Sequence, residues 1–130
     1  MNTQLKVLIA DDEVLIADTL GLILRQGGYQ SRVVYSGTAA LRELLAFRPE
    51  LLISDVIMPD MSGIDVAIRA RELLPGCAIL LLSGQASTAD LMQAAGAAGH
   101  SFDLLSKPLR PEELLRQVAR RINRPPFSGA

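Results

Sequence analysis

Apolar runs of strand length alternate five times with amphipathic segments of helix length along this chain, and four of the runs lead into a residue that carries chemistry. Leu8-Ile9-Ala10 runs into Asp11-Asp12, Leu52-Ile53-Ser54 into Asp55, Leu81-Leu82 into Ser83, and Asp103-Leu104-Leu105-Ser106 into Lys107-Pro108. Strict alternation of strands and helices specifies a parallel sheet covered by helices on both faces, because each connection must cross back over the sheet. All strands of such a sheet end at one edge. Three acids, a hydroxyl and an amine are thereby expected to meet there.

The segments read as follows. Strands are expected at Leu5 to Ala10, Tyr29 to Val34, Leu51 to Ser54, Cys77 to Leu82 and Phe102 to Leu105. Helices are expected at Glu13 to Gln26, Thr38 to Phe47, Ile64 to Leu74, Thr88 to Ala98 and Pro111 to Ile122. Ile16, Leu20, Ile23 and Leu24 form one apolar face, Leu41, Leu44 and Leu45 a second, and Leu114, Val118 and Ile122 a third. Gly27-Gly28, Pro49 and Pro75-Gly76 supply the stops, and Pro111 suits a first helical turn. The first, third and fourth strands are almost continuously apolar, as strands covered on both faces are. The second and fifth carry polar residues, as edges do. The flavodoxin-like order 2-1-3-4-5 satisfies that pattern and makes the fold a three-layer α/β (βα)5 sandwich. Its switch point lies between strands one and three, where open α/β sheets bind ligands beyond the carboxyl ends. Asp11, Asp12 and Asp55 flank that crevice.

The 130 residues suffice for one domain, expected over 1–123, with 124–130 (Arg124-Pro125-Pro126 onward) as a tail or the start of a linker. A hydrophobic content of 49% with 21% charged residues excludes disorder, and a net charge of −1 gives no electrostatic basis for binding nucleic acid or an anionic membrane. No apolar stretch is long enough to span a bilayer. Met1-Asn2-Thr3-Gln4 leads directly into a strand, and the single Cys77 cannot form an internal disulfide, so a cytoplasmic, reducing setting is expected. Cys77 opens an apolar run and reads as a small buried hydrophobe. His100 reads as a solvated loop residue, and Arg116, Arg120 and Arg121 as surface charge suited to a helix C-terminus.

Clustered carboxylates need compensation. Two unit charges about 4 Å apart repel by roughly 4 kcal/mol at an effective dielectric near 20. Mg²⁺ takes one or two carboxylates with waters and a phosphate. Lys107 can pair with Asp55 or a phosphate oxygen, Ser83 can donate to one, and a carboxylate can itself be the nucleophile that forms an aspartyl-phosphate. Taken singly, each has a plainer role: Asp12 as the cap of the first helix, Ser83 beside Gly84 as turn chemistry, Lys107 as a solvated lysine.

Together these residues resemble the receiver domain of bacterial two-component response regulators, over Lys6 to about Ile122. The acidic pair matches Asp11-Asp12. The phosphoacceptor pattern aspartate-x-x-Met-Pro-x-x-x-Gly matches Asp55-Val56-Ile57-Met58-Pro59-Asp60-Met61-Ser62-Gly63. The hydroxyl residue matches Ser83, and the Lys-Pro pair Lys107-Pro108. The resemblance implies phosphotransfer from a sensor histidine kinase or phosphotransfer protein to Asp55. It implies Mg²⁺ (or Mn²⁺ in its place) on Asp12, Asp55 and the backbone carbonyl of Ile57, with Asp11 acting mainly through water. It implies a cis Lys107-Pro108 peptide and a changed surface on helix four, strand five and helix five, read by an output domain, a partner protein or a second copy in a homodimer. No enzymatic turnover of an external substrate is implied.

One position departs from the pattern. Tyr or Phe usually stands three residues before the lysine as a rotating switch; here it is Leu104, with Phe102 two residues earlier on the same strand face. Ile57 and Gln85 flank the route of an attacking water; an apolar Ile57 cannot orient one while Gln85 could, and a phosphoryl lifetime of minutes or more is expected. The Ala-rich helix four, with Gly96 inside it and Leu91 and Met92 as its large apolar residues, is expected to be among the least stable parts and to be the element that phosphorylation biases. A phosphorylation-independent interaction module on the same fold is the second reading. A phosphohydrolase would want an acid two residues after its nucleophile, where this chain has Ile57.

Overall fold

The computed structural model describes residues 4–84 and 88–123. Five parallel strands, β1 (Lys6–Ala10), β2 (Gln30–Val34), β3 (Leu51–Asp55), β4 (Ala78–Ser83) and β5 (Asp103–Ser106), form one sheet in the order β2-β1-β3-β4-β5. Between and after them run α1 (Val14–Gln26), α2 (Gly37–Phe47), α3 (Gly63–Leu73), α4 (Thr88–Ala97) and α5 (Pro111–Val118). This is the flavodoxin-like three-layer sandwich expected from the polar edges.

Strand alternation divides the core in two. Leu8, Leu52 and Leu81 point to one side of the sheet and pack with Leu44 of α2, Val66 and Ala67 of α3 and Ala95 of α4. Val7, Ile9, Leu51, Ile53, Leu80 and Leu82 point to the other and pack with Leu20 and Leu24 of α1 and Leu114 and Val118 of α5. The continuous apolar character of β1, β3 and β4 follows, since every residue in them meets a helix layer. Ile16, Ile23, Leu41 and Ile122 are only partly buried, and Leu45 turns outward at 57% exposure, because the buried stripe of α2 runs through Gly37, Ala40, Leu44 and Phe47. Cys77 is buried as expected, and burial pushes its thiol up to about 11.

Several sequence expectations are corrected. The last helix does not run unbroken to Ile122: α5 ends at Val118 and a π-helical turn covers Ala119–Asn123. The cause is Arg121, which is not simple surface charge. Its guanidinium donates to the carbonyl of Gln117 at 2.8 Å, the acceptor that an unbroken α-helix offers to the Arg121 amide, and it reaches Asp103 of β5 at 3.0 Å. Phe102 lies just before β5 rather than in it, under the guanidinium of Arg71, which sits 4.0 Å from the ring centroid. His100 is half-buried and stacks on Phe102, with ring centroids 6.4 Å apart, so it is not a free loop residue. Asp55 and Ser83 are the last residues of their strands rather than the first beyond them.

The helices differ in how firmly they are held. α5 buries Leu114 and Val118 completely, whereas α4 buries Ala95 alone among its described side chains and leaves Leu91 exposed. Truncating Leu114 to Ala should therefore cost about 2–5 kcal/mol, measured by urea unfolding. Leu91→Ala, on the loosely held α4, should change stability by less than about 0.5 kcal/mol.

Candidate functional site

Four strands deliver the site to the carboxyl edge of the sheet. Asp11 follows β1 directly, its amide bonded to the Val34 carbonyl at 3.2 Å. Asp55 closes β3, Ser83 closes β4, and Lys107 follows β5. The Lys107 amide donates to the Ser83 carbonyl at 2.8 Å, which ties the hydroxyl and the amine together through the backbone. The Lys107–Pro108 peptide is cis.

Carboxylate oxygens of Asp11, Asp12 and Asp55 lie within 4.8 Å of one another. Lys107 is the cation among them: its Nζ lies 2.7 Å from Asp11, 3.3 Å from Asp55 and 3.3 Å from Glu13. Burial would pull its pKa down, but the hydrogen bond to Asp11 and the charges of Asp11 and Asp55 outweigh it, and the ammonium is held above its ordinary value. Asp55 is raised above the usual carboxylate range. Burial is the main cause, Asp11 adds to it, and Lys107 and the Ile57 amide oppose it without cancelling it. The pocket is thus short of positive charge. An all-oxygen donor set with an uncompensated carboxylate fits a hard divalent cation.

The turn before α1 is not capped by Asp12. Glu13 occupies the N-cap and makes no side-chain cap bond, while Asp11 accepts the Glu13 amide at 3.0 Å. Asp12 stays exposed, facing the other two acids. Gly63 is needed for close approach: a Cβ there would stand 2.0 Å from the Asp55 carbonyl oxygen. The phosphoacceptor-like loop is stapled by the Gly63 amide, which donates to Val56 at 2.8 Å.

The structure gathers Asp11, Asp12, Asp55 and Lys107, and joins Ser83 to Lys107 through the backbone. Ile57 reaches Asp55 through its amide, with its side chain half-buried. Leu104 is 38% exposed, opposite Leu81 in the sheet register. Phe102 lies at the other end of β5 from Lys107, roughly 16 Å away for five extended residues. Gln85 lies outside the described residues. Two residues escaped the sequence reading. Glu13 contacts Lys107, and its one signal was adjacency to the acidic pair. Asp60 accepts from the Thr38 hydroxyl at 2.6 Å and amide at 2.8 Å and the Gly37 amide at 3.0 Å, fastening the loop after β3 to the start of α2. Those bonds hold its carboxyl well below the usual range, the Thr38 hydroxyl most strongly.

The comparisons decide the family. The response regulator receiver domain model matches residues 7–119. The chain belongs to that family. It is 33% identical over 119 residues to the DNA-binding response regulator MtrA of Mycobacterium tuberculosis, covering 92% of this chain and 51% of MtrA. It therefore spans about half the length of the curated relatives it matches. Among solved structures it is similar to a CheY-like receiver domain protein from Methanospirillum hungatei, with TM-score 0.83, 26% identity and coverage of 93% and 95% of the two chains. It is also similar to the chemotaxis protein CheY4 of Vibrio cholerae, with TM-score 0.81, 30% identity and coverage of 92% and 100%. Among the described residues, no helix is long and apolar enough to cross a membrane.

Two pH dependences follow from the shifts. With a raised pKa, Asp55 contributes stability that is complete below the unfolded value, about 3.9, and lost as pH rises through the folded one. Without divalent cations at neutral pH, Asp55→Asn should melt above the wild type, and the gap should close near pH 3.5 and shrink on adding Mg²⁺. An equal or lower melting temperature at pH 7 contradicts this. Asp60 has the opposite sign: its contribution is present above about pH 4 and lost as pH falls toward its depressed folded value. Thermal melts of Asp60→Ala should show a deficit at pH 7 that narrows progressively below pH 4.

Proposed function

We propose that this receiver domain is a phosphoacceptor switch in which Asp55 accepts a phosphoryl group from a histidine kinase or a phosphotransfer protein, with Mg²⁺ bound beside it. The observation that carries the reading is the convergence of the Asp11, Asp12 and Asp55 carboxylates within 4.8 Å, with Lys107 3.3 Å from Asp55. Transfer to a carboxylate needs a placed nucleophile and positive charge around the moving oxygens. Asp55 supplies the first, Lys107 a point charge, and the Ser83 hydroxyl a donor. The bond from Asp55 to phosphorus forms as the P–N bond of a phosphohistidine breaks and the imidazole leaves. Asp12, Asp55 and the Ile57 carbonyl would hold Mg²⁺ or Mn²⁺, with Asp11 acting through water; the cation supplies charge neutralisation at the phosphoryl oxygens.

The output follows from packing. Ser83 drawn toward the phosphoryl group pulls the chain that leads to α4, the most loosely held helix, so the face of α4, β5 and α5 is the one that changes. This acidic, net −1 segment offers no charge for DNA. On this reading any output of this chain, which spans about half of the DNA-binding response regulator MtrA, acts through a further domain, a partner or a homodimer. A cytoplasmic location accords with a kinase donor. Leu104 favours one second reading, a phosphorylation-independent interaction module, because a leucine stands where receivers usually carry the rotating aromatic.

Incubation with acetyl phosphate and Mg²⁺ should add one phosphoryl group by intact mass to the wild type. It should add none to Asp55→Asn, and none with EDTA present. The adduct should persist for minutes, since the Ile57 side chain offers nothing to orient water. An unmodified wild type supports the interaction module instead, and a half-life of seconds refutes the role given to Ile57.

A further inference from the structure

The side chain of Glu13 is spent in an unusual place. As the residue before α1 it stands where a short polar side chain normally accepts the first helical amides, yet it makes no cap bond. Its own amide is taken by Asp11 and its carbonyl by Ala17, so the backbone is fixed and the carboxylate is free to turn. It turns to Lys107, 3.3 Å away. The Lys107 ammonium donates to Asp11 and to Glu13 and pairs with Asp55 at 3.3 Å. Lys107 is therefore shared among three carboxylates in this state.

A phosphoryl group on Asp55 also needs Lys107 and competes for it with these carboxylates, so the most weakly held of them is the one to let go. Asp11 is 1% exposed and holds Nζ at 2.7 Å, so releasing it would strand a buried charge. Asp55 is the residue that carries the phosphoryl group. Glu13 is 60% exposed and its carboxylate returns to water readily. Resting on the phosphoacceptor reading above, we propose that Glu13 is a positioning residue: it holds Lys107 over Asp11 and Asp55 in the unphosphorylated domain and yields it to the phosphoryl group. Its grip slows phosphorylation and favours the unphosphorylated state.

The test compares Glu13→Gln with Glu13→Asp in the full chain. Asp keeps the charge but is one methylene shorter and is a preferred N-cap, so its carboxylate turns back to the α1 amides and away from Lys107. Both variants should speed phosphorylation by acetyl phosphate at saturating Mg²⁺ by about two- to five-fold, the range of an exposed ion pair. Acetate leaves as the bond from Asp55 to phosphorus forms. Both should shift the Lys107 side-chain NMR signal in the unphosphorylated protein, and neither should shift it with beryllofluoride bound, when Glu13 has already let go. Acceleration by Glu13→Gln alone would overturn the proposal, because net charge near an anionic donor would then explain the rate. An unchanged Lys107 signal in both variants would overturn it too. Failure of the wild type to take a phosphoryl group would refute the phosphoacceptor reading separately, while the Lys107 signal still reports on the grip.

Discussion

One ammonium among four carboxylates is the interaction on which this domain depends. Lys107 reaches the carboxyl edge of the sheet only because β5 pairs in register with β4, and the bond from its amide to Ser83 closes that pairing. Without it, Asp11 and Asp55 would face one another nearly dry, a repulsion of several kcal/mol. With it, Asp55 still titrates high, so the pocket remains short of positive charge. That shortfall suits a hard divalent cation.

The framework around this pocket was legible because it is written in patterns of short range. Continuous apolar runs marked β1, β3 and β4 as buried on both faces, polar runs marked β2 and β5 as edges, and the strand order followed. The residues gathered in the pocket could be picked out for the same reason: each adjoins the end of an apolar run. What could not be read depends on which of two neighbouring side chains turns inward, or on contacts between distant segments. Asp11 rather than Asp12 receives the amide at the start of α1 because the turn bends that way. Glu13 and Asp60 act across 94 and 22 residues of sequence, and nothing local announces their partners. Arg121 reads as a surface charge until β5 places Asp103 beside it and opens the helix into a π-turn.

Packing is uneven in a way that suits a switch. α5 is anchored by two fully buried side chains and tied to β5 by Arg121, while α4 is attached through buried Ala95 and partly buried Met92 among its described side chains. A small change at Ser83 thus acts on the element with the least to lose. Leu104 of β5 is 38% exposed, opposite Leu81 of β4. Phe102 lies under Arg71 just before β5, at the opposite end of that strand from Lys107.

The most direct measurement is the amide NMR spectrum of the wild type with Mg²⁺ and beryllofluoride beside that of Asp55→Asn. The account predicts shifts at Ser83, Lys107, Leu104 and across residues 88–99 in the wild type alone, with residues 114–118 little changed. A wild-type spectrum that matches Asp55→Asn throughout would contradict it and make the domain a constitutive binding surface.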